Sequence, residues 1–75
     1  MIFVPPKQPE LPRERVERVI RARIADGTYP VGSQLPTDVL AAELAVSKGT
    51  LAAVLRAMPE VRVIPGYGSF VIEPE

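Results

Sequence analysis

Pro59 divides the apolar residues of this chain into two kinds of pattern. Before it, they recur at helical spacing in three segments. After it, two short β-branched runs, 61–64 and 69–72, flank the segment 65–68 (Pro-Gly-Tyr-Gly), whose glycines suit the tight turn of a β-hairpin. The predicted order is helix, helix, tight break, helix, hairpin. This is an α+β fold, and 75 residues give room for one small domain.

The first helix is predicted to begin at Pro12, which suits a first helical turn, and to end at Gly27, a left-handed C-cap. Its apolar stripe comprises Val16, Val19, Ile20 and Ile24. Five arginines crowd the other faces, where two favourable i,i+4 pairs are expected, Glu14–Arg18 and Glu17–Arg21. Such a face is more often solvated than bound to DNA, although it also suits the flank of a dimer interface.

The second and third helices follow each other closely. Thr37 is the predicted N-cap of the second helix, which is expected to bury Val39, Leu40 and Leu44. After a tight break at 45–46, Ser47 is the predicted N-cap of the third helix. That helix extends to about residue 58, and its buried stripe comprises Leu51, Val54, Leu55 and Met58. Two short helices joined by a tight break are typical of a helix-turn-helix.

The composition excludes several classes of site. The chain has neither cysteine nor histidine, so it offers no disulfide framework and no thiolate zinc site, and it lacks the commonest general base. We therefore expect no catalytic residue, metal or cofactor, and no enzyme. No run approaches the roughly 18 apolar residues of a membrane helix, and a cytoplasmic protein without a membrane partner is expected. Residues 1–11 are expected to form a flexible proline-rich arm before a folded domain at 12–75.

The outer face of the third helix is the predicted DNA-binding surface. It carries Lys48, Gly49, Ala52, Ala53 and Arg56. Small outward side chains let a helix lie in a major groove about 12 Å wide. The hairpin tip suits a wing, with Tyr67 placed to contact sugar or phosphate, while Phe70 and Val71 are expected in the core. A net charge of zero argues against strong electrostatic binding.

Three segments, 26–37, 41–51 and 66–71, resemble in order the three motifs of one family, the gluconate-operon-repressor (GntR) family of bacterial winged-helix regulators. The first resembles the family's turn from helix one into helix two, with a Pro-x-Gly turn and then Leu-Pro-Thr. The second resembles its helix-turn-helix, and the third resembles its wing. The resemblance covers roughly residues 13–72, which is nearly everything outside the arm.

The resemblance implies a winged helix-turn-helix that binds duplex DNA at an operator, usually as a homodimer on a palindrome and usually as a repressor. By position, Ser47, Lys48 and Thr50 would make the recognition-helix contacts, the tip 66–68 would meet the minor groove, and Thr37 would lie beside a phosphate. The predicted DNA-binding residues are Thr37, Ser47, Lys48, Gly49, Thr50, Arg56, Gly66, Tyr67 and Gly68. Family members usually carry a large effector-binding domain, and none is present in this sequence, so no small-molecule effector is predicted.

The sequence departs from the family at three DNA contacts. Its second helix opens Thr-Asp-Val, without the family's arginine, while Ala52 and Tyr67 stand where the family has basic residues. Each lost phosphate contact weakens binding and its salt dependence. Two hypotheses therefore stay open. The first is a sequence-specific DNA-binding regulator, favoured by Lys48, Thr50 and the glycine-tipped hairpin. The second, favoured by the neutral charge, is a protein-interaction winged helix with weakened or lost DNA binding, which would use the arginine-bearing helix one or the alanine-rich face of helix three.

Overall fold

The computed structural model describes residues 10–73. They form three helices and a two-stranded antiparallel hairpin in the predicted order, which confirms the winged helix-turn-helix fold. The elements are α1 (Pro12–Ala25), α2 (Thr37–Glu43), α3 (Lys48–Ala57), β1 (Val61–Ile64) and β2 (Gly68–Val71). The predicted arm, residues 1–11, lies outside the described residues except for its last two positions.

Helix α1 begins and ends where the sequence predicts. Leu11 is its N-cap residue, and the carboxylate of Glu14 accepts a hydrogen bond from the Leu11 backbone N–H at 3.1 Å. Gly27, just beyond the C-cap, has a φ of +87°, the left-handed conformation expected of a helix-ending glycine. The predicted Glu14–Arg18 pair is wrong. Arg18 instead reaches back to Glu10, at 2.8 Å, and Glu14 is used at the start of the helix.

Helix α2 departs from the prediction at two residues. Thr37 is its first helical residue and not its N-cap, a position that Pro36 takes without any side-chain cap. Val39 is 62% exposed and not buried, because the core side of α2 is formed by Leu40, Ala41 and Leu44. At 100° per residue, Val39 points almost opposite to the centre of that side.

The break between α2 and α3 is a tight turn at Ala45, the described non-glycine residue with a positive φ, 55°. The backbone N–H of Val46 returns to the carbonyl of Ala41 at 3.0 Å and closes the end of α2. The side chain at position 45 is only a methyl group. Alanine therefore adopts the left-handed backbone conformation at a lower steric cost than a bulkier β-branched residue. This turn sets α3 at an angle to α2 while both keep their apolar sides on the core.

Helix α3 carries the centre of the core. As predicted, Leu51, Val54, Leu55 and Met58 are buried, and they belong to one hydrophobic cluster with residues of the other helices and both strands. The other members include Val16, Ile20, Leu35, Leu40, Leu44, Val61 and Val71. Because the inner side of α3 is committed to these contacts, its opposite side faces outward.

The hairpin pairs β1 with β2 in the register Val61↔Val71 to Ile64↔Gly68. Ser69 and Val71 point into the protein and are buried, whereas Phe70 lies on the other face, paired with Arg62, and is only half-buried. The expectation that adjacent Phe70 and Val71 both enter the core was wrong, because successive strand residues point to opposite faces.

The connection between α1 and α2 also joins the hairpin. Gln34 forms an isolated antiparallel bridge with Phe70. The Leu35 N–H donates to the Ser69 carbonyl at 2.8 Å, and the Val71 N–H donates to the Ser33 carbonyl at 3.0 Å. The segment therefore covers the edge of β2 and ties the hairpin to the entrance of α2.

Candidate nucleic-acid interface

The outward side of α3 is a shallow surface of small residues flanked by two cations. Its exposed members are Lys48, Gly49, Thr50, Ala53 and Arg56. A Cβ at Gly49 would come no closer than 3.9 Å to any neighbouring side chain, so packing does not require glycine there. What its small size provides is clearance, which a helix needs to lie close to the floor of a DNA groove.

Ser47 and Thr50 organise the start of α3. The Ser47 hydroxyl oxygen accepts from the Thr50 backbone N–H at 3.0 Å, which is the N-cap that the sequence predicts. The same hydroxyl donates its proton to Thr50 Oγ1 at 2.9 Å. The Thr50 hydroxyl thus accepts from Ser47, and its own proton remains available to a ligand.

Lys48 has a carboxylate neighbour that the sequence pattern does not predict. Its Nζ lies 2.9 Å from Asp38 Oδ1 on α2, and both side chains are more than three-quarters exposed. An ion pair in open solvent is worth little and exchanges readily for another anion. Lys48 therefore remains available to a phosphate, but a phosphate there would lie beside Asp38.

Arg56 stands in the last turn of α3, exposed to solvent. Within residues 10–73 it forms no salt bridge. It is therefore the cation of α3 whose charge the described part of the protein leaves uncompensated.

Most of the arginines on α1 are held by the protein itself. Arg18 binds Glu10, Arg21 binds Glu60 and Glu17, Arg23 binds Glu43 and the Tyr29 hydroxyl, and Arg15 donates to the Leu44 carbonyl at the end of α2. Hydrogen bonds to Glu10, Glu60 and Glu43 raise the pKa of the first three guanidinium groups above its ordinary value. Reciprocally, the hydrogen bond from Arg21 lowers the pKa of Glu60.

The wing tip consists of Pro65, Gly66 and Tyr67, with Gly68 opening β2. Tyr67 is 76% exposed at the end of the hairpin. Its backbone carbonyl accepts a hydrogen bond from Gln34 Nε2 at 2.8 Å. Gly68 has a φ of +124°, and a Cβ there would fall 2.4 Å from the same Gln34 nitrogen. Gly68 thus serves the turn and also makes room for the side chain that braces it.

The structure brings four of the predicted site residues together: Ser47, Lys48, Gly49 and Thr50 form the start of α3. Arg56 lies two turns further along the same exposed side, the tip residues 66–68 close the hairpin, and Thr37 begins α2, where it is half-buried. Sequence reasoning missed Asp38 beside Lys48 and Gln34 beneath the tip. No local signal identifies Gln34, since its partner is 33 residues away.

The described residues offer little for other chemistry. Within residues 10–73 no three acidic side chains gather into a set that would hold a metal ion. A depression of about 440 Å³ lies open along residues 34–39. None of the helices in this part of the chain is both long and apolar enough to cross a membrane.

Comparison with known proteins gives one family. The family model described as "Bacterial regulatory proteins, gntR family" matches residues 12–71. Among curated proteins no significant match is found.

Solved structures share the fold. One is Streptococcus agalactiae GntR, with 26% identity and a TM-score of 0.67 over 81% of this chain and 31% of that one. A transcriptional antiterminator from Listeria monocytogenes EGD-e has 18% identity and a TM-score of 0.70 over 100% of this chain and 59% of that one. A transcriptional regulator from Oenococcus oeni has 24% identity and a TM-score of 0.65, over 93% and 61% respectively. The chain thus spans less than two thirds of each of these proteins.

Proposed function

Because the chain belongs to the gntR family of bacterial regulatory proteins, we propose that it is a cytoplasmic, sequence-specific transcriptional regulator and not an enzyme. In this proposal α3 enters the major groove of DNA and the wing tip lies near the minor groove. The observation that carries the proposal is the outward side of α3, where small residues lie between two cations and no acid of that helix intervenes.

The proposed role of each side chain follows from its position. Lys48 and Thr50, in the first turn of α3, would meet a phosphate or a base edge, and Arg56 would meet a second phosphate or a guanine. Ser47 would hold the helix start in shape through its cap on Thr50. Gly66 and Gly68 would let the hairpin backbone approach the DNA closely, with the exposed Tyr67 as its contact.

The proposal predicts modest affinity. Ala52 and Tyr67 provide no cation, and Val39 is exposed on α2 where a basic residue would otherwise add a phosphate contact. With about two phosphates neutralised by α3, that helix contributes about −1.8 to the slope of log K against log salt for B-DNA. This contribution weakens binding only about tenfold between about 50 and 200 mM salt.

The family pattern supports two finer parts of the proposal, repression and binding as a homodimer to a palindrome. Two-fold symmetry of a dimer requires two half-sites about one helical turn, or a multiple of it, apart. Selection of bound duplexes from a random pool tests this directly: we expect an inverted repeat with that spacing, whereas enrichment of single half-sites only would remove the dimer from the proposal.

The competing hypothesis is a winged helix that binds another protein. Zero net charge and the carboxylate of Asp38 beside Lys48 favour it. The ion pairs on α1 do not, because Arg18, Arg21 and Arg23 are already occupied by acids of the same chain.

The deciding experiment places a charge on each of two exposed alanines. Fluorescence anisotropy at about 50 mM salt, where phosphate contacts are strong, would compare the selected duplex with a shuffled one. Ala53→Glu puts a carboxylate on the outward side of α3, and we expect at least a tenfold loss of affinity. Ala22→Glu, on the exposed side of α1, is the matched control and should bind like the wild type.

Circular dichroism melts of both variants verify that each is folded. Failure of the random pool to yield an enriched duplex, or wild-type affinity in folded Ala53→Glu, would refute the DNA-binding proposal in favour of the protein-interaction module.

A further inference from the structure

A groove of about 410 Å³ runs between α1 and α3, beside the proposed DNA surface. It is lined by Arg13, Glu17, Thr50, Ala53, Val54 and Ala57. Thr50 and Ala53 are also part of the outward side of α3, so the groove opens onto that surface. A ligand lying along α3 would pass its mouth.

Arg13 is the exception among the arginines of α1. It is exposed, and within residues 10–73 it makes neither an ion pair nor a side-chain hydrogen bond. Glu17, one turn away on the same wall of the groove, directs its carboxylate to Arg21 instead. Position 13 is also in the first helical turn, where the helix dipole disfavours a cation, so α1 itself gains nothing from the charge.

The positions of the cations define two flanks of α3. Lys48 lies on the flank that faces α2, since it contacts Asp38 there. Arg13 lies on the other flank, across the groove from Thr50 and Ala53. A helix seated in a major groove has a phosphate backbone on each side of it, and cations on both flanks match that arrangement.

We propose that Arg13 binds a DNA backbone phosphate at the α1 edge of the major groove, opposite the phosphate met by Lys48. The Thr50 hydroxyl, whose proton is not used by Ser47, is the second donor of this site. The assignment rests on the proposed function, and it makes α1 a direct participant in binding through this one residue.

The first test is a salt titration of DNA affinity. Arg13→Ala should bind the selected duplex about five- to tenfold more weakly, with a slope of log K against log salt smaller by about 0.9. Arg18→Ala is the matched control, because it removes an exposed arginine of the same helix that is already paired with Glu10. It should change neither quantity. Both variants should melt like the wild type, and Arg13→Lys should keep the wild-type salt slope.

A second test locates the phosphate. In a series of duplexes that each carry one neutral methylphosphonate, the wild type should lose affinity at each contacted phosphate. Arg13→Ala should lose markedly less than the wild type at one of them, on the side of the groove opposite the phosphate met by Lys48. Equal losses in both proteins at every position would overturn the inference.

The outcomes separate this inference from the proposed function. If the wild type binds and Arg56→Ala weakens binding while Arg13→Ala behaves like Arg18→Ala, the phosphate site is wrong and the regulator stands. If the wild type selects no duplex, both are wrong.

Discussion

Two surfaces of this small domain carry positive charge, and they use it in opposite ways. The α1 surface has five arginines, four of which bind a carboxylate or a backbone carbonyl of the same chain. The outward side of α3 has only Lys48 and Arg56, one held loosely by an exposed aspartate and the other without an ion pair in the described residues. The surface with more cations therefore leaves the smaller share of them open to a ligand.

The difference shows why a neutral chain can still present a cationic site. Arg18, Arg21 and Arg23 form ion pairs with four of the acids, Glu10, Glu17, Glu43 and Glu60. What matters for an anionic ligand is the charge left over locally, and that is found around α3. Neither the net charge of the chain nor the number of its cations shows this local charge.

The sharpest way to break this comparison is to remove two cations from each surface. Lys48→Ala with Arg56→Ala should lower DNA affinity about 30-fold, or about 2 kcal/mol, and reduce the salt slope by about two, since two phosphate contacts disappear. Arg18→Ala with Arg21→Ala should leave affinity nearly unchanged. Anisotropy titrations at several salt concentrations measure both. Equal losses in the two double variants would show that pairing does not distinguish the surfaces.

The arginines that α1 uses within the protein should matter for stability and not for DNA binding. Arg15→Ala removes the donor to the Leu44 carbonyl at the end of α2, and we expect the free energy of unfolding to fall by about 1.5 kcal/mol, the usual worth of a charged hydrogen bond. Urea unfolding measures it. Arg13→Ala is the control and should keep wild-type stability. If Arg15→Ala kept wild-type stability but bound DNA more weakly, Arg15 would belong with the DNA-binding cations and not with the stabilising arginines of α1.

A substitution at Asp38 tests how much the acid beside Lys48 weakens DNA binding at the α3 surface. Asp38→Asn removes the carboxylate that competes with phosphate for Lys48, so DNA affinity should rise about two- to fivefold, in keeping with the small worth of exposed ion pairs. The same change in a Lys48→Ala background should give a smaller gain. An equal gain in both backgrounds would mean that Asp38 repels DNA directly, without acting through Lys48.

The smallest expected effect is on the pH dependence of stability, through an acid that pairs with an arginine of α1. The hydrogen bond from Arg21 lowers the pKa of Glu60 below its ordinary value of 4.5. The carboxylate therefore contributes stability above that value, and the contribution is lost as pH falls through the lowered pKa. Wild type should exceed Glu60→Gln in stability at neutral pH, and the difference should vanish in acid. In an Arg21→Gln background, Glu60→Gln should not change stability at any pH. A remaining difference would show that Glu60 has a stabilising partner other than Arg21.

Local pattern was enough to predict most of the fold. The stripe on α3, the Ser47 cap, the Gly27 helix end and the hairpin all depend on residues within a few positions of each other, where periodicity and turn chemistry act. The errors have local causes as well. The prediction that Val39 is buried is wrong because Leu40 and Leu44 define a side of α2 from which Val39 points away.

The site was less predictable, because its electrostatics depend on pairs far apart in sequence. Arg21 and Glu60 are separated by 39 residues, and Arg23 and Glu43 by 20. The nearer pair of Lys48 and Asp38 spans two helices, and its contact depends on the angle set by the turn at Ala45. Sequence could identify which residues carry charge, but only the packed structure shows which charges cancel.

The brace from Gln34 to the wing tip has a mechanical consequence. Because the Gln34 amide holds the Tyr67 carbonyl and its backbone borders β2, hydrogen bonds tie the hairpin to the entrance of α2. A ligand that touches the tip meets a preorganised loop and need not supply the entropy of ordering it. In the proposed complex, affinity at the tip would thus depend in part on an amide that does not itself touch DNA and that lies 33 residues away in sequence.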